Sequence, residues 1–180
     1  TYQFHSTDSQ RFPTRGMWLE NQTAFTDNLA NGKHFLTVDP SLTFWNAIDN
    51  ERKLVVKSAI AGQLRIGDDP LFYQAARLGA NNGLRSYRQE RFAGNYALNA
   101  SIDLRYDMSP IKTRLLPLRV IPYVGLDTGR VWVSRENVSS FHVGYGGGLE
   151  LSFPGLVKGA VSYFTGDEGG RLAFGIYLSK

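Results

Sequence analysis

The stretch NYALNASIDLRYD, Asn95 to Asp107, alternates almost without a break. Tyr96, Leu98, Ala100, Ile102, Leu104 and Tyr106 fall on one phase, and Asn99, Ser101, Asp103, Arg105 and Asp107 on the other. A period of two sends successive side chains to opposite faces of an extended chain, so the stretch reads as a strand with one apolar and one ionic face. Its length says more than its pattern. Strands of soluble sheets run about five or six residues, whereas about ten tilted residues cross the hydrocarbon of a bilayer.

The same period continues on both sides. Upstream, Leu36, Val38, Pro40, Leu42 and Phe44 alternate with Thr37, Asp39, Ser41, Thr43 and Trp45, and Leu54, Val56, Ile60, Leu64 and Ile66 oppose Lys57, Ala59, Gln63 and Arg65. Downstream, the apolar phases are Val120/Pro122/Val124/Leu126, Val143/Tyr145/Leu149/Leu151/Phe153, Val157/Val161/Tyr163 and Leu172/Phe174/Ile176/Leu178. The pattern predicts eight strands at residues 15–28, 33–47, 53–67, 95–108, 117–132, 140–153, 156–165 and 171–179, all within a single domain spanning 1–180. The connectors LANG, IDNE, PG and GDEGG carry turn chemistry. A further segment, TYQFHST, precedes a turn containing proline. Because single-chain bacterial barrels have an even strand count, residues 1–14 read as a periplasmic lead-in or an extra short strand.

Composition removes several function classes. The 20 basic residues are scattered among 16 acidic ones for a net charge of +4, with no basic block to suit nucleic acid. Cysteine is absent, which excludes disulfides and thiolate metal sites. His5, His34 and His142 lack metal-ligand spacing, and no nucleophile-elbow, zinc-protease or phosphate-loop motif occurs. GYGGG lies within a strand with no helix after it. Neither an enzyme nor a cofactor is expected. No apolar run approaches the ~20 residues of a membrane helix. The mean hydropathy is negative, which is also normal for a membrane barrel, where only half of each strand meets lipid.

Which face is inside decides the class. A soluble lipocalin-type barrel would enclose the aliphatic rows and expose Lys57, Arg65, Asp103, Arg105, Arg119, Asp127 and Glu150. A membrane barrel reverses this. Long strands favour the reverse, as do Trp18, Trp45, Trp132, Phe141, Phe153 and Tyr163 near strand ends, where an interfacial girdle would lie. The polar phase, mixed in Asp, Arg, Gly, Ser and Asn, suits a narrow lumen of paired charges. The expected fold is an all-β transmembrane antiparallel up-and-down β-barrel of about eight strands, with outer-membrane lipids as its surroundings.

Residues 67–94 interrupt this regularity. The segment is too long for a hairpin connection, and LFYQAARLG and GLRSYRQERFAGN are too rich in large apolar side chains for a disordered one. Gly125 and Gly129, then Gly144, Gly146 and Gly148, fall on the inward phase of neighbouring strands. Strand glycines mark close approach of another group, so they form a trough for a Tyr or for the loop backbone, or else serve only barrel curvature. Asp103 and Asp127 share the inward phase of consecutive strands and need a cation. Arg85 in the loop can bridge two carboxylates; Arg105, Arg119 and Lys57 are the alternatives.

LRSY at Leu84–Tyr87, DLRY at Asp103–Tyr106, GLDTG at Gly125–Gly129 and FPTRG at Phe12–Gly16 together resemble the BamA/TamA/FhaC superfamily, the bacterial surface antigen family. The resemblance covers nearly the whole chain. It implies that the loop folds into the lumen, that Arg85 meets Asp127 and Asp103, and that Tyr87 and Gly129 belong to the same loop-to-wall motif. It further implies a role in outer-membrane protein insertion or translocation or as a small pore, with unfolded outer-membrane or exported proteins as partners. An alternative within the family is a membrane anchor of a larger exported protein such as a metallophosphoesterase. Ser86 stands where the motif has Gly, and Gly125 where it has Phe. Family barrels usually have sixteen strands behind POTRA domains, so this chain reads as a minimal member or a fragment of a longer protein.

Overall fold

A computed structural model describes residues 1–28, 32–68, 72–108, 110–112, 117–133, 140–153 and 157–178. Its strands are β1 (Tyr2–Thr7), β2 (Arg15–Asn28), β3 (Lys33–Ala47), β4 (Leu54–Gly67), β5 (Ala76–Leu78), β6 (Phe92–Gly94), β7 (Tyr96–Tyr106), β8 (Arg119–Trp132), β9 (His142–Phe153), β10 (Val157–Gly166) and β11 (Gly169–Leu178). One 3₁₀ turn, Phe72–Gln74, precedes β5. Nine strands form a single antiparallel sheet in the order β1-β2-β3-β4-β7-β8-β9-β10-β11, and β5 pairs with β6 as a separate ribbon. Neighbours in the sheet are neighbours in the chain, apart from the loop that carries the ribbon. The predicted LANG and PG turns and the end of the last predicted strand lie wholly or partly outside the described residues.

The strand count differs from the expected eight. YQFHST pairs with β2 over six residues, from Tyr2↔Asn21 to Thr7↔Gly16, so the segment is a strand rather than a lead-in. The even-number rule belongs to closed barrels, and this sheet has two edges. No ladder among the described residues joins β1 to β11.

The alternation sorts side chains as a polar-interior sheet requires. On β8, Asp127 is 1% exposed while Val124 and Leu126 are 59% and 53% exposed. On β11, Phe174 and Ile176 reach 75% and 80%. The aliphatic rows are therefore outside, which overturns the lipocalin-type arrangement. One part of the girdle expectation is also corrected. Register places Trp18 beside Thr43 and Trp45 beside Lys57, on the inner phase, because both tryptophans occupy the polar phase of their strands.

The sheet curls far enough for distant strands to share partners. Lys158 on β10 donates to the Arg11 carbonyl in the β1–β2 turn at 3.1 Å. The Phe12 ring in that turn lies 4.0 Å beneath the Arg119 guanidinium of β8 and 4.8 Å from the Lys158 ammonium. Phe12 thus caps the end of the interior opposite the long loop. Asp8 holds the turn in shape, accepting from the Thr14 and Arg15 amides at 2.9 and 3.0 Å and from the Thr14 hydroxyl. Partial burial acts to raise its pKa, but these hydrogen bonds and nearby Arg52 outweigh it and bring the carboxyl down to about 2.

Candidate functional site

The site is built by the loop seated against the inner wall. Leu78, Leu84 and Tyr87 from the loop, with Ala76 of β5, pack on Ala97 of β7 and Val131 of β8. Leu78 and Leu84 are wholly buried. This cluster, beneath the loop, is the apolar core. Burial of each large side chain contributes roughly 1.5–3 kcal/mol, enough to order a segment with little secondary structure of its own. Gly83 turns the chain at φ +93°, and a Cβ there would overlap the Asn99 side chain. A side chain is therefore excluded by both backbone and space.

That turn delivers Arg85 to the two carboxylates. Its amide donates to Asp127 Oδ2 at 3.0 Å. Nε donates to both Asp127 oxygens at 3.1 and 2.9 Å, and Nη2 to Asp127 Oδ1 and Asp103 Oδ1, each at 2.6 Å. Asp127 and Asp103 are buried. The guanidinium lies 3.9 Å over the Phe164 ring of β10, a cation–π contact that adds to the ion pairs. Burial alone would weaken the charge on Arg85; the two carboxylates overcome it and hold the group above its usual range. The other cations considered for this role are secondary: Arg105 pairs with Glu150, Arg119 with Asp107, and Lys57 only feels the charge of Asp103, which Arg85 binds directly.

The glycines are spaces with identifiable occupants. A Cβ on Gly144 would overlap Ser86 Oγ, one on Gly146 the Phe164 ring and backbone, and one on Gly148 would crowd the Tyr123 hydroxyl. The trough exists: loop side chains occupy it at Gly125, Gly129 and Gly144, and groups of the wall itself fill it at Gly146 and Gly148. Ser86 fits against this wall because Gly144 and Gly166 are both bare beside it. Gly125 lies under the Asp103–Arg85 contact, where any Cβ would collide with the carboxylate. Gly129 lies under Leu78.

No protein-family model and no curated protein matches this chain.

Further contacts fasten the loop at its margins. Tyr87 packs edge-on against Phe92 and His142, whose rings stack at 3.9 Å, and its hydroxyl lies 3.5 Å from the Val143 carbonyl and Asp167. Arg91 pairs with Glu168 at 2.8 Å. Gln63 was not singled out from the sequence, yet its side-chain amide binds Arg77 of β5 on both sides, donating to its carbonyl at 2.8 Å and accepting from its amide at 2.9 Å. Next to it the β3–β4 ladder skips from Val38↔Leu64 to Ser41↔Ala61, opposite Pro40, which has no N–H to give. The only available signal was a proline inside a central strand. Chemically the arrangement immobilises: its components are charge-assisted hydrogen bonds and packed rings.

Proposed function

We propose that the chain forms the wall of an integral β-barrel in the bacterial outer membrane, of the BamA/TamA/FhaC type, with its long loop seated in the lumen as a plug. The observation that carries this reading is Arg85 held by Asp103 and Asp127 on the inner face of a sheet whose outer face is aliphatic. A clamp of this kind suits an enclosed lumen, where unpaired charges are costly. Strand lengths support it: β2, β4 and β8 have 14 residues each and β3 has 15, more than the ~9–11 a tilted crossing needs.

The role that follows is insertion or translocation of outer-membrane or exported polypeptides, with the loop as the resting plug. The Phe12 cap favours a second reading, a non-conducting membrane anchor for a larger exported protein, because it blocks the other end as well. The test is to fold the chain in detergent and then in planar bilayers, alongside a loop-deleted version. The expected results are a detergent requirement, a gel shift on boiling, low conductance in the wild type and stepwise conductance without the loop. Detergent-free solubility with unchanged migration would overturn the membrane reading. Faster insertion of other barrels in its presence selects the assembly role over the anchor.

A further inference from the structure

Four inner-wall arginines are each paired with a carboxylate. Arg65 meets Asp39 at 2.5 Å and Arg105 meets Glu150 at 2.5 Å. Arg85 has its two aspartates, Arg119 has Asp107, and Lys158 has the Arg11 carbonyl. Lys57 is on the same inner phase, and the carboxylates that attract it, Asp103 and Glu150, are each already paired with an arginine. Its register partners are Trp45 on β3 and Asp103 on β7, and Asp103 is already engaged by Arg85.

A cavity of about 260 Å³ opens beside this ammonium, lined by Trp18, Glu20, Ser41, Thr43, Trp45 and Lys57. The ladder orders its contents. Trp45 adjoins Lys57, Trp18 pairs with Thr43 one step further along the strands, and Glu20 pairs with Ser41 at the far end. The cavity therefore has a cationic end, a middle of two indoles and a hydroxyl-and-carboxylate end. From Trp45 to Ser41 is four residues, about 13 Å of strand. The His5 ring lies tilted against Trp18, centroids 4.1 Å apart, and steadies it, and Gln3 donates to Glu20 at 3.0 Å.

A half-buried ammonium whose nearby carboxylates are shared with Arg85 and Arg105 gains from an oxyanion arriving beside it. Indole faces give flat apolar contact to whatever carries that oxyanion, and Glu20 repels a second negative group at the far end. We propose that this inner-wall cavity binds a small molecule bearing one carboxylate or phosphate on a flat apolar body, with the oxyanion on Lys57 and the body against Trp45 and Trp18. The inference goes beyond the barrel-and-plug reading and depends only on the inner face.

The two indoles are also the reporters. In a Trp132→Phe background, the detergent-folded chain is titrated with phenyl phosphate and with benzoate, and separately with neutral phenol and benzamide. The expected result is saturable quenching, with each anion binding at least about tenfold more tightly than its neutral counterpart. Lys57→Met should bring the anions to the neutral level and Lys57→Arg should keep the preference. Lys57→Met leaves the arginine–carboxylate pairs of the wall in place, so its circular dichroism should match the wild type. Equal affinity for anion and neutral probe, no saturable response, or an unchanged preference in Lys57→Met would each overturn the assignment. If the chain folds in buffer without detergent, the same titration there still decides this site while the membrane reading fails.

Discussion

Replacing Arg85 with Ala removes four side-chain hydrogen bonds, three to Asp127 and one to Asp103, together with the stacking on Phe164. Two carboxylates, 1% and 7% exposed, are left facing each other without a cation. Breaking a buried pair from one side costs about 3–5 kcal/mol. The Arg85 side chain is itself 25% exposed, so the lower figure is apt. Opening of the loop should then become favourable by about 3 kcal/mol, roughly 10²-fold in population. Limited trypsin digestion reads this directly, through cleavage after Arg88 and Arg91, because cleavage follows the open population when reclosing is fast. The expected rise is about a hundredfold. Adding Asp127→Asn to Arg85→Ala should recover a large part of the loss, since the orphaned charge disappears with it. A cleavage rate within about twofold of wild type would refute the clamp, and strict additivity of the two substitutions would refute the charge argument.

Three more outcomes follow from the same geometry. Gly144→Val should release the loop, since the new side chain takes the place of Ser86 Oγ, whereas Gly146→Val should prevent folding, since it strikes the β10 backbone; protease sensitivity and the boiling-dependent gel shift separate the two. Gln63→Leu leaves both backbone groups of Arg77 without the partners they have at 2.8 and 2.9 Å, and should weaken the β5 attachment by about 1–3 kcal/mol, measured as faster hydrogen exchange at the Arg77 amide. Asp8 titrates near 2 when folded against about 3.9 in an unfolded chain. Its stabilisation is therefore complete above about pH 4 and lost as pH falls through about 2. After solvent screening the difference between wild type and Asp8→Asn should be about 1 kcal/mol in urea melts at pH 5 and largely gone at pH 2.

Much of the architecture was legible because a two-residue period is a local signal. It marked the long strands, the inward phase and the two aspartates from single side chains and their neighbours. The even-number rule for closed barrels left residues 1–14 open between a lead-in and an extra short strand, and the pairing of YQFHST with β2 over its full length decides for the strand. The tryptophans misled for a different reason: position near a strand end suggested a girdle, while phase, the stronger determinant, placed Trp18 and Trp45 inside. Phe164 was readable in principle, as an aromatic on a polar phase, but its role depends on facing Gly146 across the ladder, and register between strands is not local. The β5–β6 ribbon and its Gln63 tether depend on how the loop folds back, and no periodicity encodes that.

The seating of Arg85 also has a temporal consequence. Arg85 precedes in the chain every group that receives its side chain: Asp103 follows by 18 residues and Asp127 by 42, and Phe164 comes later still. The segment can lock only after β7, β8 and β10 have assembled around it, so its capture works as a completion signal that closes the interior once the downstream wall is in place.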